Sequence, residues 1–307
     1  MSIGLGILGM GVQGRRMVSR LAEHGGVHAV AAWDPDARQL EGTGVPLAAS
    51  AEELVRTPGV DCVFIASPPR FHMAQSNLAF DAGKPVFCEK PLSVSAAEAR
   101  ATIERIEREG RRAAVNFSLA SSAGMDAILE PRDADALGAV RGVEIEAAFK
   151  AWPRPWQSQA GRWLAERAEG GFTREVLSHF VFILQRALGP ATVEASNVSY
   201  PPDGVGAEQS LSATLRASGV PVRIEGRVGG EAADFNRFSL LGERADVRFT
   251  EWLAKRDGAP VASDGRPGYL RQLDQLELFV KGEPHLLPGF AEALAVQETI
   301  EAMLAAT

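Results

Sequence analysis

Six residues that join an apolar strand pattern to an amphipathic helix pattern constrain the fold of this chain most: Gly9, Met10, Gly11, Val12, Gln13 and Gly14. The strand pattern covers residues 3–8. In the helix pattern, apolar residues recur at helical spacing and form one face, and the pattern ends at the glycine pair 25–26. In such a turn the first glycine lets the chain reverse, the second lets the backbone approach a diphosphate, and the third lets the helix pack on the strand. The amides at the start of the helix can then hold the diphosphate. The pattern therefore predicts a dinucleotide-binding turn.

A carboxylate at the end of the next strand pattern strengthens this prediction. Residues 27–33 have the apolar pattern of a buried parallel strand, and Asp34 follows them, where the dinucleotide fingerprint expects an acidic residue about 20 positions after its last glycine. A carboxylate at this place accepts hydrogen bonds from ribose hydroxyls and repels a 2′-phosphate, so NAD is the predicted cofactor. Arg38 leaves NADP as the alternative cofactor, and a turn residue before Pro35 is the alternative role for Asp34.

Composition bounds the class of protein. The length of 307 residues suffices for two domains, and the hydrophobic content of 46% suffices for substantial cores. The formal net charge of −7 argues against a nucleic-acid or anionic-membrane partner, because both favour a basic surface. The apolar runs are shorter than the roughly 18 residues of a membrane span, and the strand pattern that starts at Ile3 leaves no room for a secretory signal. These features predict a cytoplasmic protein in which Cys62 and Cys88 are inert buried side chains.

The order of strand and helix patterns predicts two domains. Strand and helix signals alternate over residues 1–118, which predicts an α/β Rossmann dinucleotide-binding domain with a parallel sheet. Over residues 119–307, strands that alternate apolar and polar positions predict an α+β substrate-binding and oligomerisation domain with an open, mostly antiparallel sheet. Helices are expected at residues 173–188, 269–280 and 290–304, and the last of them is a candidate to pack back on the first domain.

Polar and proline residues follow the fourth, fifth and sixth predicted strands of the first domain. Ligands of parallel α/β sheets bind beyond the carboxyl ends of the strands, so these residues are candidates for contact with the cofactor. In chain order they are Ser67, Pro68, Pro69 and His72, then Glu89 and Lys90, and then Asn116.

The glycine turn, residues 65–72 and the sequence Cys-Glu-Lys-Pro at 88–91, taken in order and spacing, resemble the Gfo/Idh/MocA family, the relatives of glucose-fructose oxidoreductase and inositol dehydrogenase. The resemblance spans the first domain and continues weakly through residues 170–179 to the closing helix. It implies an NAD(P)-dependent oxidoreductase that transfers a hydride between nicotinamide and a hydroxyl or carbonyl group of a sugar, a cyclitol or a related polar metabolite. It also implies a homodimer or homotetramer that joins through the half-polar sheet.

Lys90 is the predicted acid/base residue, because the resemblance implies a place for it beside the nicotinamide and the reacting carbon. Hydride transfer at an alcohol or a carbonyl changes the charge on oxygen, and a positioned ammonium can donate a proton or stabilise that charge. A free lysine has a pKa of about 10.4, too high for an efficient base at neutral pH, so burial beside the cofactor would have to lower it. The alternative role is a solvated lysine paired with Glu89.

Glu175 and His179 form the second candidate pair. They are four residues apart on the predicted helix 173–188, so carboxylate and imidazole share one face. The resembling family commonly has aspartate, glycine and histidine at this spacing, and here Glu175 and Leu177 replace the first two. The resemblance implies that His179 is a substrate ligand or acid–base partner, which Glu175 could orient. Two such ligands without a third do not make a metal site. The alternative role for His179 is a histidine whose hydrogen bonds are made within a helix interface.

Aromatic and basic residues are interleaved before this helix: Trp152, Arg154, Trp156, Arg162 and Trp163. Indole faces suit sugar rings, and arginines suit carboxylates or phosphates, so these residues are candidate substrate contacts. Packing in a core or an interface is the alternative. Relatives in the resembling family often place an arginine shortly after the asparagine equivalent to Asn116, whereas this chain continues Phe-Ser-Leu-Ala.

Two other functions stay open. Some members of the resembling family use bound NAD transiently and act as redox-neutral glycosidases or lyases, and the sequence does not exclude this chemistry. A non-catalytic nucleotide-binding protein would fit the departures at Glu175, at Leu177 and after Asn116. The intact Glu-Lys-Pro sequence at 89–91 argues against that last alternative.

Overall fold

A computed structural model of the chain describes residues 2–130, 134–160, 162–231 and 233–305. The chain divides into two compact units. The first unit is Met1–Ser121 with Arg266–Leu294, and the second is Ser122–Gly265 with Ala295–Thr307. The first unit therefore contains a segment from the carboxyl-terminal part of the chain.

Helices and strands alternate in the first unit, and strands dominate the second. The helices are α1 Val12–His24, α2 Ala51–Arg56, α3 His72–Asp81, α4 Ala96–Glu109, α5 Ala123–Leu129, α6 Ala134–Leu137, α7 Ser178–Leu188, α8 Gly268–Lys281 and α9 Phe290–Ala305. The strands are β1 Ile3–Leu8, β2 Val27–Trp33, β3 Cys62–Ile65, β4 Val86–Glu89, β5 Ala113–Asn116, β6 Val140–Phe149, β7 Ala191–Ser199, β8 Ser210–Ala217, β9 Val220–Val228, β10 Phe235–Gly242, β11 Asp246–Thr250, β12 Lys255–Arg256 and β13 Ala259–Pro260.

The first unit is built on a parallel sheet. Among the described residues it has five strands in the order β2-β1-β3-β4-β5, and every neighbouring pair is parallel. The sequence patterns predict a sixth strand in this domain, and that prediction is wrong. Beyond β2 the chain pairs only through an isolated bridge between Ala32 and Leu47, because three residues around Leu47 form too short a run to extend the sheet. At the other edge, the amide of Val115 in β5 donates to the carbonyl of Pro288.

The core of the first unit lies between these strands and the surrounding helices. Leu5, Phe64 and Phe87 are fully buried in the central strands, and the rings of Phe64 and Phe87 lie 5.5 Å apart. On α8, Leu273 and Leu276 join the same cluster, and each such fully buried side chain contributes about 1.5–3 kcal/mol to stability. The Rossmann fold predicted from the alternation of patterns is confirmed.

Cys62 and Cys88 are free, buried thiols in β3 and β4. Burial raises the pKa of the Cys62 thiol to about 12 and also raises that of Cys88. Both thiols are therefore protonated at neutral pH, which leaves them as small apolar side chains.

The second unit is built on an eight-stranded sheet in the order β13-β12-β11-β10-β6-β9-β8-β7 among the described residues. The described pairs are antiparallel except β6 with β9, which are parallel. Alternate residues of β8 and β9 are buried and exposed, so one face packs on the core and the other carries polar side chains. On the polar face Arg216 pairs with Glu194, and Ser212 donates to Glu225. The predicted open, mostly antiparallel sheet is confirmed.

The segment predicted as one helix over residues 173–188 contains two helix types. Thr173–Leu177 is a π-helical turn, and α7 follows it directly. The turn begins after Gly171, whose φ of +100° excludes residues with a side chain, and π-helical turns occur frequently at functional sites. Among the described residues, none of the helices has the length and apolar character that crossing a membrane requires.

Candidate active site

The turn between β1 and α1 gives its three glycines different surroundings. Gly9 has a φ of +94°, and a Cβ added there would lie 2.6 Å from the amide nitrogen of Ser67. A Cβ on Gly14 would lie 2.1 Å from the carbonyl oxygen of Gly9, so neither position accepts a side chain. At Gly11, by contrast, an added Cβ meets no atom within 4 Å. The outer glycines are thus required by the fold, and the middle one borders open space at the start of α1, where a diphosphate would bind.

Asp34 lies directly against this turn. Its Oδ2 accepts a 2.8 Å hydrogen bond from the amide of Met10, and its Oδ1 accepts one of 2.9 Å from the amide of Asp36. The side chain is half-buried. Each carboxylate oxygen has two lone pairs, so both retain acceptor capacity for ribose hydroxyls. The arrangement fits the adenosine ribose of a dinucleotide.

Arg38 is held by an acidic residue of its own loop. Its Nε lies 2.9 Å from Oδ1 of Asp36, and its Nη2 lies 2.9 Å from Oδ2. The hydrogen bond from Arg38 is the main cause that lowers the pKa of Asp36. A 2′-phosphate would have to compete with this carboxylate for Arg38, so the pair favours NAD over NADP.

His72 joins the loops that follow β3 and β4. Its Nε2 lies 2.8 Å from the carbonyl oxygen of Ser67, and its Nδ1 lies 3.0 Å from that of Pro91. The ring is fully buried, and burial lowers its pKa. The neutral ring donates its single N–H to one of the two carbonyls. His72 therefore has a structural place between the two loops, and Pro69, also buried, begins a short 3-10 turn beside it.

A buried polar network lies at the ends of β4 and β5. Nδ2 of Asn116 donates to Oε1 of Glu89 at 2.7 Å and to the hydroxyl of Tyr269 at 3.4 Å. Nε2 of Gln272 donates to Oδ1 of Asn116 at 3.2 Å. Burial and the charge of Glu89 raise the pKa of Tyr269, which keeps its hydroxyl protonated. Tyr269 and Gln272 are not among the residues predicted from the sequence. The available signal was a polar residue, Gln272, on the apolar face of α8.

Lys90 follows this network directly in the chain. Glu89 is the last residue of β4 and is 7% exposed, and Lys90 is half-buried. The hydrogen bond from Asn116 fixes the backbone that precedes Lys90, because it ties the end of β4 to the end of β5. An ammonium at the carboxyl end of a central strand can donate a proton to a ligand bound beyond the sheet.

In the second unit, His179 lies in the first turn of α7 and Glu175 in the π-helical turn before it. His179 is 9% exposed, and its ring packs edge-on against Trp252 with centroids 6.1 Å apart. Trp252 also stacks on Phe180 at 5.9 Å. Glu175 is half-buried. Trp252 is a third residue that could not be identified from the sequence, since it lies about 70 positions from His179 in the chain.

A buried carboxyl group supports the π-helical turn. Oε1 of Glu208 accepts a 2.7 Å hydrogen bond from the amide of Thr173, and the side chain is 2% exposed. A Cβ on Gly171 would lie 2.2 Å from Oε2 of Glu208, so the glycine makes room for the carboxyl group. Burial raises the pKa of Glu208. Arg174 of the same turn forms a two-pronged ion pair with Glu301 of α9.

The aromatic and basic residues predicted to contact substrate divide into two groups. The guanidinium of Arg154 lies over the rings of Trp152 and Trp156, 5.7 and 4.8 Å from their centroids. Arg162 and Trp163 lie on a short 3-10 turn, where Arg162 is exposed and Trp163 half-buried. Within the described ranges, His, Cys, Asp and Glu side chains form no group of three that could hold a metal ion.

Comparisons with known proteins agree with the geometry of the first unit. Residues 3–117 match the model of the oxidoreductase family with an NAD-binding Rossmann fold. The chain is 31% identical over 151 residues to 1,5-anhydro-D-fructose reductase of Ensifer adhaerens, a segment that covers 49% of this chain and 44% of the reductase. It is 35% identical over 123 residues to inositol 2-dehydrogenase 1 of Saccharopolyspora erythraea, which covers 36% and 35%. The chain thus matches less than half the length of these curated relatives.

The whole fold has counterparts among solved structures. The WlbA dehydrogenase of Bordetella pertussis, solved in complex with NADH and UDP-GlcNAcA, superposes with a TM-score of 0.85 and 20% identity. The superposition covers 99% of this chain and 97% of the other. At this identity the similarity establishes the fold of both units.

Proposed function

Since the amino-terminal domain of this chain belongs to the Gfo/Idh/MocA family of NAD-binding oxidoreductases, we propose that the protein transfers a hydride between NAD and a hydroxyl or carbonyl group of a sugar, a cyclitol or a related polar metabolite. The observation that carries the proposal is the difference among the three glycines of the turn. Gly9 and Gly14 are required by packing, whereas Gly11 borders open space. Since packing does not require a glycine at position 11, a ligand that approaches the backbone there explains its presence.

NAD fits the residues present. The turn from Gly9 to Gly14 would hold the diphosphate, and Asp34 would accept hydrogen bonds from the adenosine ribose. The remaining candidates border the loops after β3, β4 and β5 and would surround the nicotinamide half: Ser67, Pro68, Pro69, Glu89, Lys90 and Asn116. His72 would act on the cofactor through the two loops that it joins. When bound, NAD supplies the hydride acceptor or donor.

Lys90 would move the proton that accompanies hydride transfer. The half-buried side chain would donate a proton from its ammonium form to the substrate oxygen when a carbonyl is reduced, and would accept the proton in its neutral amine form when an alcohol is oxidised. The tie between Asn116 and Glu89 would hold Lys90 in one place during this step.

His179 would hold the reacting oxygen of the substrate, and Glu175 would orient the imidazole. Both residues lie where the π-helical turn meets α7. Glu208 supports this turn, because its carboxyl group accepts from the amide of Thr173 and occupies the space that Gly171 leaves. The names of the relatives support the substrate class, because they act on an anhydro sugar and on inositol.

The proposal is tested with NADH and a panel of sugars and cyclitols. We expect NADH fluorescence to change on binding, and net NADH to form or disappear in proportion to substrate. Lys90→Met should lower turnover by roughly 10²–10⁴-fold while NADH affinity stays within about twofold. Lys281→Met, which removes an exposed lysine at the end of α8, is the matched control and should keep full turnover. Unchanged turnover of Lys90→Met, or glycoside cleavage without net change in NADH, contradicts the proposal.

We also propose that the chain assembles as a homodimer or homotetramer through the polar face of the eight-stranded sheet. Paired charges on this face, such as Arg216 with Glu194 and Arg237 with Glu146, suit a hydrated interface. Light scattering after size-exclusion chromatography should give a mass of about two or four chains. A monomeric mass at micromolar concentration contradicts the assembly and leaves the proposed reaction untouched.

A further inference from the structure

An aromatic cage surrounds Arg154 in the second unit. The guanidinium carbon lies 4.8 to 5.7 Å from four ring centroids, those of Phe149, Trp152, Trp156 and Trp252. Each distance is within the roughly 6 Å range of a cation–π contact. Rings that stack on a guanidinium cover its faces, and hydrogen bonds are made in its plane. The cage therefore fixes the plane in which Arg154 donates.

A buried amide fixes the orientation further. Oε1 of Gln157 accepts hydrogen bonds from both the backbone amide and Nε of Arg154, each at 3.1 Å, and Gln157 is 3% exposed. This contact engages Nε and restrains the rotation of the guanidinium. A half-buried, oriented guanidinium is the group that forms two-pronged pairs with carboxylates and phosphates.

The local charge favours an anion. Residues 150–165 contain Lys150, Arg154 and Arg162 and no aspartate or glutamate, although the whole chain has a net charge of −7. A basic segment in an acidic protein raises the local concentration of anionic ligands.

Trp252 connects the cage to His179. Its ring lies 5.6 Å from the guanidinium carbon of Arg154 and packs edge-on against the ring of His179 at 6.1 Å. The stacked ring of Phe180 supports it at 5.9 Å. The cationic group is therefore one indole away from the histidine that is proposed to hold the reacting oxygen.

The backbone that carries Trp252 is strained. Glu251, Trp252 and Leu253 have φ values of 53°, 59° and 66°, a left-handed turn of three residues with side chains. This conformation is unfavourable for residues with a Cβ atom. Asn236, which is 7% exposed, accepts a 2.7 Å hydrogen bond from the amide of Trp252, and a Cβ on Gly124 would lie 2.3 Å from Cβ of Leu253. The surroundings thus enforce the turn, as expected where an unusual conformation serves a site.

We propose that Arg154 forms an anion-recognition subsite beside His179, and that the substrate is a sugar or cyclitol derivative that carries a carboxylate or phosphate group. Trp252 is a positioning residue in this subsite, and Asn236 holds it in place. The inference rests on the proposed function, because it specifies the substrate class of the same reaction.

The test compares matched ligands of different charge on the full chain. Isothermal titration in saturating NADH would use D-glucose, D-glucuronate and D-glucose 6-phosphate with the wild type and Arg154→Gln. We expect one of the two anions to bind on the order of 10- to 100-fold more tightly than glucose, and Arg154→Gln to remove that preference while glucose affinity changes little. A preference for the uronate assigns the anion as a carboxylate, and a preference for the phosphate ester assigns it as a phosphate.

Three further variants separate recognition from packing. Arg154→Lys keeps the charge without the planar fork and should retain part of the preference. Trp252→Phe should raise KM for the anionic substrate with a smaller change in kcat, since it loosens the cage. Arg244→Gln removes an exposed arginine in the turn between β10 and β11, to which no ligand contact is assigned, and should leave the preference intact.

The inference and the proposed function fail differently. A wild type that binds NADH and turns over sugars, but with equal affinity for neutral and anionic ligands, overturns the subsite alone. Survival of the preference in Arg154→Gln also overturns it. Absence of NADH binding overturns the proposed function itself.

Discussion

The side-chain amide of Asn116 donates a 2.7 Å hydrogen bond to the carboxylate of Glu89, at the ends of two adjacent parallel strands. Asn116 is 4% exposed, so the bond is shielded from water and fixes the residue that precedes Lys90. Gln272 of α8 completes the arrangement from a distant part of the chain. The position of the proposed acid/base residue therefore depends on a helix that lies more than 150 residues away in sequence.

We expect Gln272→Leu to destabilise this corner of the first unit. Gln272 donates to Oδ1 of Asn116 and to the carbonyl of Phe117, and accepts from Ser121. The leucine leaves these buried groups without that partner, and each unsatisfied group costs about 1–3 kcal/mol. Hydrogen exchange of peptides that contain β4 and β5 should accelerate, and the urea midpoint should fall.

Gln209→Leu is the control for this substitution, since Gln209 is an exposed glutamine of the second unit. Its exchange pattern in β4 and β5 should match the wild type. Equal protection of both strands in Gln272→Leu and the wild type would show that the network does not stabilise the strand ends.

Gly11→Ala and Gly14→Ala should have opposite consequences. The methyl group on Gly11 enters open space at a φ of −67°, so the protein should fold with near-normal stability but bind NADH at least about tenfold more weakly, because the methyl group occupies the diphosphate position. The methyl group on Gly14 would lie 2.1 Å from the carbonyl of Gly9, and such overpacking costs about 1–3 kcal/mol or more.

Thermal unfolding and NADH fluorescence titration together check this pair. Gly25→Ala, at a glycine with open space but a φ of +79°, is a control that changes backbone strain far from the turn. It should lower stability and leave NADH affinity unchanged. Normal NADH affinity of a folded Gly11→Ala protein would contradict the assignment of the open space to a cofactor.

Asp36→Asn should weaken the discrimination against NADPH. The substitution removes the carboxylate that holds Arg38 and leaves that arginine available to a 2′-phosphate. Because Arg38 is 84% exposed, solvent screens its charge, so we expect only a modest rise of NADPH affinity, of about two- to fivefold. NADH affinity should stay the same, and the double variant Asp36→Asn/Arg38→Gln should lose the gain. An equal rise for NADH and NADPH would assign the effect to net charge instead.

The sequence allowed the first unit to be predicted well because its signals are local. The glycines of the turn, Asp34 and the strand ends at Ser67 and Glu89 are each recognised from a few neighbouring residues. Ser95 is a local signal of the same kind, because its side chain caps the start of α4 by accepting a hydrogen bond from the amide of Glu98.

The rest depended on contacts between distant segments. Tyr269 and Gln272 meet Asn116 only because α8 returns to the first unit, and no local pattern encodes that return. Trp252 reaches His179 through a left-handed turn that residues with side chains rarely adopt, and propensity argues against such a turn. The π-helical turn before His179 has the same apolar spacing as an α-helix over so few residues.

The stability of the second unit should depend on pH through Glu208. Burial raises the pKa of this carboxyl group above the ordinary glutamate value, so between that value and the raised one the folded protein binds a proton that the unfolded chain lacks. The stabilisation by this proton is fully present at low pH and is lost as pH rises through the folded pKa. Relative to Glu208→Gln, which cannot titrate, the wild type should therefore lose free energy of unfolding as pH rises from the ordinary glutamate pKa through the raised one. Glu231→Gln, at an exposed glutamate, is the control and should track the wild type across this range.

Parallel stability curves of the wild type and Glu208→Gln would contradict this prediction. They would mean that the carboxyl group of Glu208 has the same pKa in the folded protein as in the unfolded chain, because Thr173 and Arg174 fully compensate its charge.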